Sequence, residues 1–254
     1  MKNIKLIVTD LDNTLLRRDK TISTYTVDVL RRVQAGGVLV AFATARDFRF
    51  VLDHISPKFG LAPDIVIADN GALARHKGND IYKRMVLVGT VNALLGRFEP
   101  ARCASTEKAY YISGDYLNDH WSKGNKATKL TDFSNHVGED AFYLDGNTDM
   151  PTQSLTEGFP DVRAVRYSDV NLVTIVHKEA SKLNALVAAG HALGIGAGNM
   201  AAFGDDFSDI EILSHCGYGV ATANAIDECK AAAGYVCGDC DEDGVAKWVE
   251  ENML

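Results

Sequence analysis

The 254-residue sequence has little of several features that mark special classes of protein. It contains five cysteines, five prolines and two tryptophans, and no run of about 18 apolar residues that could form a transmembrane helix. The cysteines are odd in number and scattered, which is typical of reduced thiols rather than of a disulfide framework. The first apolar stretch is too short for the core of a signal peptide. We therefore expect a cytoplasmic protein without a membrane span.

The sequence also lacks an excess of positive charge. Twenty-six basic residues against 34 acidic ones give a net charge of −8, while 46% of the residues are hydrophobic, an ordinary value for a globular protein. A surface of this charge does not attract nucleic acid or anionic lipid in general. We expect neither as a partner, and an anionic substrate must be held by local cations or by a metal ion.

Strand and helix signals alternate through the first 70 residues. Buried apolar runs at 4–8, 38–43 and 65–68 predict strands, and segments at 24–34 and 48–55 predict helices. The alternation predicts right-handed crossovers and a parallel sheet, so the fold class is α/β.

The pattern changes in the middle of the chain, between about Tyr82 and Lys178, and strand–helix alternation returns after Ala180. A helix is predicted near 91–98, and alternating apolar and polar residues predict strands in five segments, KRMVLV, ARCASTEKAYYI, AFYLDG, VRAVRY and NLVTIVHK. This mixture predicts an antiparallel sheet with one face in solvent. We therefore predict a doubly wound α/β core at 1–82 and 179–254, with an α+β domain inserted at 83–178.

The pentapeptide Asp10-Leu11-Asp12-Asn13-Thr14 directly follows a predicted buried strand. Ligands bind at the carboxyl ends of strands in open α/β sheets. Two carboxylates two residues apart repel each other unless a cation compensates, and one can act as a nucleophile while the other acts as acid and base. Alternatively, the pair only caps the following turn. The pentapeptide by itself leaves both interpretations open.

A second acidic segment, GDDFSD at 204–209, also follows a predicted strand. Its three carboxylates can share a metal ion with Asp10 and Asp12, because Mg²⁺ binds a few carboxylates together with water and phosphate oxygens. Acidic residues are also favourable at a helix N-terminus, which is the alternative interpretation and applies to at least one of Asp206 and Asp209.

Together these motifs resemble those of the haloacid dehalogenase superfamily. Segments 10–14 and 204–209 are similar to its first and last motifs, and Thr44-Ala45-Arg46 ends the second strand where the family usually has Thr-Gly-Arg. Lys182, just after the insertion, is similar to the lysine of the third motif. The insertion resembles the α/β cap of the Cof-type phosphatases, whose members often carry Asn-Gly-Ala where this chain has residues 70–72.

The resemblance implies a Rossmann-like core with an inserted cap, and a role for each matching residue. Asp10 would be the nucleophile and Asp12 the acid and base, with Mg²⁺ held by Asp10, Asp12 and Asp205. The other implied residues bind phosphate (Leu11, Thr44, Ala45, Lys182 and Ser208) or support the site (Asp209, Arg46, Asn70 and Gly71).

Two positions depart from the family pattern. Ser208 stands where the family usually has asparagine, and its hydroxyl has a shorter reach. Ala45 replaces a glycine, and it can present its backbone N–H to phosphate only if its φ stays negative. Neither change removes a catalytic group.

The resemblance implies a phosphatase that hydrolyses small soluble phosphomonoesters such as sugar phosphates or related metabolites, as a monomer or small homo-oligomer. A phosphosugar mutase of the same superfamily is an alternative, and so is a non-catalytic module that accepts phosphate or binds a metabolite. Specificity would come from the cap, whose polar residues include Asp115, Tyr116, His120, Asp145 and Asn147.

Two further motifs near the C-terminus carry less weight. Residues 239–250 match the spacing of a calcium-binding loop, but Lys247 is an unfavourable cation and the chain ends at Leu254 before an exit helix. Cys237 and Cys240 form a single CxxC without a second pair, which is weak evidence for zinc. We expect neither to bind a metal.

Overall fold

The computed structural model describes residues 3–98, 102–113, 128–133, 137–166 and 172–254. In these residues the chain forms one sheet of eight strands and one of six. None of the helices described has both the length and the apolar character that crossing a membrane requires.

The larger sheet is parallel through six strands and ends in an antiparallel hairpin. Its spatial order is β14 (Tyr235–Val236), β13 (Tyr218–Ala221), β12 (Met200–Gly204), β1 (Leu6–Thr9), β2 (Leu39–Ala43), β3 (Ile65–Ala68), β4 (Leu73–His76) and β5 (Asn79–Lys83). The predicted α/β fold with a parallel core sheet is confirmed.

Helices cover both faces of this sheet. One face packs against α1 (Thr24–Ala35) and α9 (Gly244–Met253), and the other against α6 (Lys182–Leu193), α7 (Ile210–His215) and α8 (Asp227–Ala232). Alternate residues of β1 supply the two faces, since Ile7 is buried with the first group while Leu6 and Val8 are buried with the second. Burial on both faces explains why this strand is continuously apolar.

Local sequence signals set the starts of two helices that matter for the site. The Ser181 hydroxyl accepts a hydrogen bond of 3.0 Å from the backbone N–H of Asn184 and begins α6. Asp47 begins α2 (Phe48–Phe50), which continues through a π-helical stretch (Val51–Ile55) into α3 (Ser56–Phe59).

The smaller sheet is antiparallel except for its last pair, β7 and β8, which are parallel. Two helices, α4 (Val88–Leu95) and α5 (Thr152–Thr156), accompany it. Its spatial order is β10 (Val162–Arg166), β11 (Val173–His177), β9 (Ala141–Gly146), β6 (Arg102–Thr106), β7 (Tyr110–Ile112) and β8 (Thr128–Leu130).

Three details of the middle segment were predicted wrongly. The segment ARCASTEKAYYI forms two antiparallel strands, β6 and β7, rather than one. The central strand β9 is buried along its whole length rather than solvated on one face, because Leu144 packs with the helix side of the sheet while Tyr143 packs towards the larger sheet. The segment KRMVLV is not a strand. Its first residue ends β5 in the larger sheet, and Val86 makes only an isolated bridge with Ala141 as the chain crosses to the smaller sheet.

The division into a core (1–82 and 179–254) and an inserted domain (83–178) remains a proposal. Sheet membership supports it, because β6 to β11 lie between 102 and 177 and all belong to the smaller sheet. Strand β5 reaches one residue beyond the proposed boundary.

Candidate active site

Four loops carry polar side chains to one edge of the larger sheet. Asp10 follows β1, Thr44 follows β2, Asn70 lies after β3 and Asp205 follows β12. These four strands are neighbours and parallel, so their carboxyl ends lie side by side.

Lys182, at the start of α6, bridges the carboxylates of Asp10 and Asp209. Its Nζ donates hydrogen bonds to Oδ1 of Asp10 at 2.7 Å and to Oδ1 of Asp209 at 2.6 Å, and all three side chains are at least nine-tenths buried. Burial alone would lower the pKa of Lys182, but the charges of Asp10 and Asp209 outweigh it and raise this pKa above its ordinary value. The lysine is therefore a buried cation that compensates two acids.

Asp10, Asp205 and Asp209 form an acidic group in which one carboxylate oxygen of each residue lies within 4.8 Å of the others. Burial, with repulsion from the neighbouring carboxylates, raises the pKa of Asp10 to about 7 and that of Asp205 to about 8. The Thr14 hydroxyl donates a hydrogen bond of 2.7 Å to Asp205 and opposes this rise. A divalent cation fits this group, because oxygen ligands suit Mg²⁺ and its charge relieves the repulsion.

The loop after β12 is arranged around Asp209. Oδ2 of Asp209 accepts backbone hydrogen bonds from Asp205 at 3.2 Å and Asp206 at 3.3 Å. A Cβ at Gly204 would lie 2.3 Å from the Asp209 Cβ, so only glycine fits there. Asp206 instead caps the following turn by accepting from the backbone N–H of Phe207 at 2.8 Å, which agrees with the helix-N-terminus interpretation for this residue.

The carboxylate of Asp12 does not join the acidic group. Arg46 donates to both of its oxygens, from Nε and Nη2 at 2.6 Å each, and Nζ of Lys20 lies 3.0 Å from Oδ1. Burial would raise the pKa of Asp12, but the hydrogen bonds and charge of Arg46, with those of Lys20, lower it below the ordinary value. Both oxygens of Asp12 contact Arg46 or Lys20 rather than the acidic group. Metal binding by this side chain stays a prediction. Lys20 was not predicted, because only the fold brings its loop to Asp12.

A hydrogen bond between two of its own residues stabilises the loop after β2. The Thr44 hydroxyl accepts a 3.1 Å hydrogen bond from the backbone N–H of Arg46, whose guanidinium lies 4.4 Å above the ring of Phe50. Ala45 is not among the residues with positive φ, so it meets the condition set by its replacement of glycine.

Other predicted residues have local roles in the described structure. The side chain of Leu11 is fully buried, and its carbonyl accepts from the backbone N–H groups of Thr14 and Leu16. Ser208 is partly exposed in the turn after β12. Neither arrangement tests their predicted roles in phosphate binding.

Asn70 and Gly71 occupy an unusual backbone stretch beside α6. Their φ angles are +56° and +79°, and the preceding Asp69 has +54°. A Cβ at Gly71 would lie 2.2 Å from the carbonyl carbon of Ser181 and 2.5 Å from the backbone nitrogen of Lys182. Gly71 thus allows the loop after β3 to pack against the residue that holds Asp10.

The C-terminal acidic segment is compensated by arginines. Nη1 of Arg18 lies 2.9 Å from Asp239 and also pairs with Asp241, and Arg17 lies 3.0 Å from Asp243. Asp239 and Asp241 lie close enough, with Cys240, to hold a cation, but Arg18 already occupies that position. Cys237 and Cys240 form no disulfide with each other or with the other three cysteines, all of which lie in the described residues.

A cavity of about 460 Å³ lies beside the two cations that contact Asp12. It lies between the loop after β1 and the α2–α3 helical stretch, and its walls include both cations that hold Asp12, Lys20 and Arg46, together with the ring of Phe50. Of the polar cap residues named from the sequence, Asp115, Tyr116 and His120 lie outside the described residues. The carboxylate of Asp145 accepts from the Thr174 hydroxyl inside the smaller sheet.

An α/β sheet with this acidic edge and a buried lysine defines a class of hydrolytic enzymes. Residues 7–249 match the family of haloacid dehalogenase-like hydrolases, and the chain belongs to that family. The resemblance inferred from the motifs is confirmed.

Known proteins and solved structures are similar to this protein over nearly its full chain. The 5-amino-6-(5-phospho-D-ribitylamino)uracil phosphatase YitU of Bacillus subtilis is 26% identical, with 97% of this chain and 96% of that protein covered. The phosphoglycolate phosphatase of Methanoculleus marisnigri is 27% identical, with 98% and 96% covered. A haloacid dehalogenase-like hydrolase from B. subtilis has a TM-score of 0.84 at 23% identity, with 99% and 100% covered. A subclass IIB sugar phosphatase has a TM-score of 0.81 at 21% identity, with 97% and 98% covered.

Proposed function

We propose that this enzyme is a Mg²⁺-dependent phosphatase that hydrolyses small phosphomonoesters through an aspartyl-phosphate on Asp10. The observation that carries the proposal is the contact of Lys182 with both Asp10 and Asp209, beside Asp205. It supplies a carboxylate nucleophile, a buried cation and a cation-binding acidic group at the ligand-binding edge of the sheet. The phosphatase names of the relatives support the same reaction.

Asp10 and Lys182 divide the work on the phosphoryl group. The Asp10 carboxylate attacks phosphorus, and the ammonium of Lys182 lies close enough to neutralise phosphoryl oxygens as negative charge redistributes. Mg²⁺ held by Asp10 and Asp205 would supply further positive charge to the transferred group. The Thr44 and Ser208 hydroxyls and the backbone of Leu11 and Ala45 are the proposed remaining phosphate contacts.

Asp12 is the proposed acid and base. Its lowered pKa favours the ionised form, which can take a proton from the water that hydrolyses the aspartyl-phosphate. To protonate the leaving oxygen, it must first hold a proton, and an anionic phosphate that competes for Arg46 and Lys20 would favour that state. The cavity lined by Lys20 and Arg46 can accept the leaving group.

Sugar phosphates and related metabolites are the proposed substrates. A phosphate-release panel should include sugar phosphates, phosphoglycolate and 5-amino-6-(5-phospho-D-ribitylamino)uracil, since the last two are named for relatives. Conversion of a sugar phosphate into its isomer without phosphate release would support a mutase instead. A stable phosphoaspartate without turnover would support a phospho-accepting module. Cytoplasmic location and a monomeric or small homo-oligomeric state remain predictions.

Asp10→Asn tests the nucleophile. With p-nitrophenyl phosphate and Mg²⁺, we expect the wild type to release phosphate and to stop when EDTA is added. The variant should lose about a thousandfold or more in kcat, because an amide cannot form the covalent intermediate. Asp28→Asn is the matched control, since Asp28 lies exposed on α1. Near-normal turnover by a folded Asp10→Asn protein would refute the assignment.

A further inference from the structure

A second buried polar cluster lies where the smaller sheet meets the loops of the site. Ser105, on β6, is fully buried, and its Oγ lies 2.7 Å from Oδ2 of Asp47 and 2.9 Å from Oδ1 of Asp69. Asp47 directly follows Arg46, and Asp69 directly precedes Asn70. One serine of the inserted segment therefore contacts both loops.

The hydrogen count of this cluster favours an extra proton. A serine hydroxyl carries one hydrogen and can donate to only one of the two carboxyl groups. If both acids were ionised, the other contact would join two oxygens without a hydrogen between them. A proton on one of the two carboxyl groups supplies the missing hydrogen, and that group can then donate to Ser105.

The neighbours decide which acid carries the proton. Arg49 donates from Nε to Oδ1 of Asp47 at 2.9 Å and from Nη2 to its Oδ2, so these two side chains form an ion pair. Asp69 is fully buried, and burial together with the charge of Asp47 raises its pKa well above the ordinary value. Tyr143 of β9 also faces this cluster, and burial raises its pKa well above 10, so it stays neutral.

Apolar contacts exclude water from the cluster. The rings of Phe48 and Phe142 meet edge to face with centroids 5.9 Å apart, joining the helix after Asp47 to β9 of the smaller sheet. Arg49, which pairs with Asp47, also donates to the carbonyl of Glu107 at 3.3 Å. In this dry contact a second negative charge has no solvent to stabilise it.

We propose that Asp69 stays protonated in the working enzyme and that the chain Asp69–Ser105–Asp47 holds the smaller sheet against the loops after β2 and β3. The Asp69 carboxyl donates to Ser105, and Ser105 donates to Asp47. The inference rests on the proposed function in treating Asp69 and Ser105 as positioning residues for that reaction.

The link to catalysis runs through Arg46. The backbone N–H of Asp69 donates to the carbonyl of Arg46 at 2.9 Å, and the Arg46 side chain holds Asp12. Loss of the Asp69 proton places two carboxylates on either side of one hydroxyl. The sheet and the loop then separate, and Arg46 loses its position.

Infrared spectroscopy tests the proton directly, without relying on turnover. We expect the Mg²⁺-loaded wild type at neutral pH to show a carbonyl band of a protonated carboxylic acid that is missing from Asp69→Asn. Added Mg²⁺ keeps Asp10 and Asp205 ionised, so the difference between the two proteins isolates Asp69. Absence of the band from the wild type would overturn the inference.

The pH dependence of kcat/KM tests the positioning role. We expect kcat/KM of the wild type to fall at alkaline pH. Over the same pH range kcat/KM of Asp69→Asn should stay constant, because the amide donates to Ser105 at every pH. Ser105→Ala should lower kcat/KM about tenfold at neutral pH, where the contact exists, and should differ less from the wild type above the alkaline fall. Ser113→Ala is the matched control, since Ser113 is a buried serine of the same segment that accepts from the backbone of Arg102. An unchanged alkaline fall in Asp69→Asn would contradict the role.

Amide exchange in β6 separates failure of this inference from failure of the proposed function. After correction for intrinsic rates, protection of β6 should fall with rising pH in the wild type and persist in Asp69→Asn. If no phosphatase activity exists, the proposed function fails, while the infrared band and β6 protection still decide between a protonated contact and its absence. Constant wild-type protection would refute the docking role.

Discussion

Lys182 is buried between two carboxylates, so at the scale of single residues its charge governs both stability and chemistry. Its ammonium is the partner that keeps the pKa of Asp10 from rising further under burial and repulsion. A buried cation of this kind contributes little when its partners are removed with it, but removing it alone leaves uncompensated acids. Substitution of Lys182 alone should therefore lower the stability of the folded protein.

Lys182→Met keeps the approximate volume of the side chain and removes the charge. We expect the free energy of unfolding to fall by about 3–5 kcal/mol without metal, because the carboxylates of Asp10 and Asp209 lose their shared cation. The loss should be larger at pH 8 than at pH 6, since protonation of Asp10 relieves part of the repulsion at the lower pH. Denaturant unfolding at the two pH values measures this.

Lys178→Met provides the matched control. Lys178 pairs with Asp161 at 2.7 Å, but both side chains are about half exposed or more, so solvent screens the pair. We expect its stability to stay close to that of the wild type at both pH values. If the two variants behave alike, the buried cation of Lys182 does not stabilise the site as argued.

At the scale of strands, helices and loops, several elements follow from short-range signals in the sequence. The strand Ile65–Ala68 has the predicted bounds, and the helix Thr24–Ala35 extends one residue beyond the predicted 24–34, because an apolar run and a serine cap mark them. The segment KRMVLV has the same apolar character, yet it connects the two sheets. Its neighbours in space, rather than its composition, decide its conformation.

Some features of the site likewise follow from the sequence, while others depend on tertiary packing. The sequence indicated Asp10, Asp205 and Lys182 because each follows a strand or the insertion, in a familiar order. The salt bridge between Arg46 and Asp12 and the contact of Ser105 with two loops depend on side-chain directions set by tertiary packing. No spacing in the chain encodes them.

Gly71→Ala tests the packing of the loop after β3 against α6. The positive φ of +79° costs any L side chain about 1–2 kcal/mol, and the new Cβ would meet backbone atoms of Ser181 and Lys182. We expect a further loss of about 1–3 kcal/mol from this overlap, with reduced activity because Lys182 is displaced. Denaturant unfolding and phosphate release measure the two effects.

Gly78→Ala separates strain from overlap. Gly78 has a φ of +82° in the turn between β4 and β5, and an added Cβ would meet nothing within 4 Å. It should show only the cost of the backbone angle and keep full activity. Equal losses in both variants would show that close packing at Gly71 is unimportant.

At the scale of the whole molecule, an acidic protein concentrates carboxylates at one edge of its main sheet. The net charge of −8 adds no general attraction for an anionic substrate, so local cations must provide it. The smaller sheet covers the loops at that edge through Ser105 and Phe142. We therefore expect stability, cation binding and pH to be linked at this edge.

Metal-free stability should fall as pH rises. Asp10 and Asp205 ionise near 3.8 when unperturbed but have folded pKa values of about 7 and about 8. Between these limits the folded protein binds more protons than the unfolded chain, so their contribution is lost as pH rises through 7 to 8. Because Mg²⁺ replaces those protons, the stabilisation it gives should grow over the same range. At about a hundred times its dissociation constant, Mg²⁺ should add about 2.7 kcal/mol.

Thermal unfolding of Asp205→Asn and Asp206→Asn, with and without Mg²⁺ at several pH values, decides whether the acidic group is responsible. Asp205→Asn should flatten the metal-free pH dependence and lose the Mg²⁺ effect, since it removes one raised pKa and one ligand. Asp206→Asn should retain both, because Asp206 caps Phe207 and asparagine caps equally well. If Asp205→Asn keeps the full Mg²⁺ effect, the cation binds elsewhere, and the link between pH and metal at this edge does not exist.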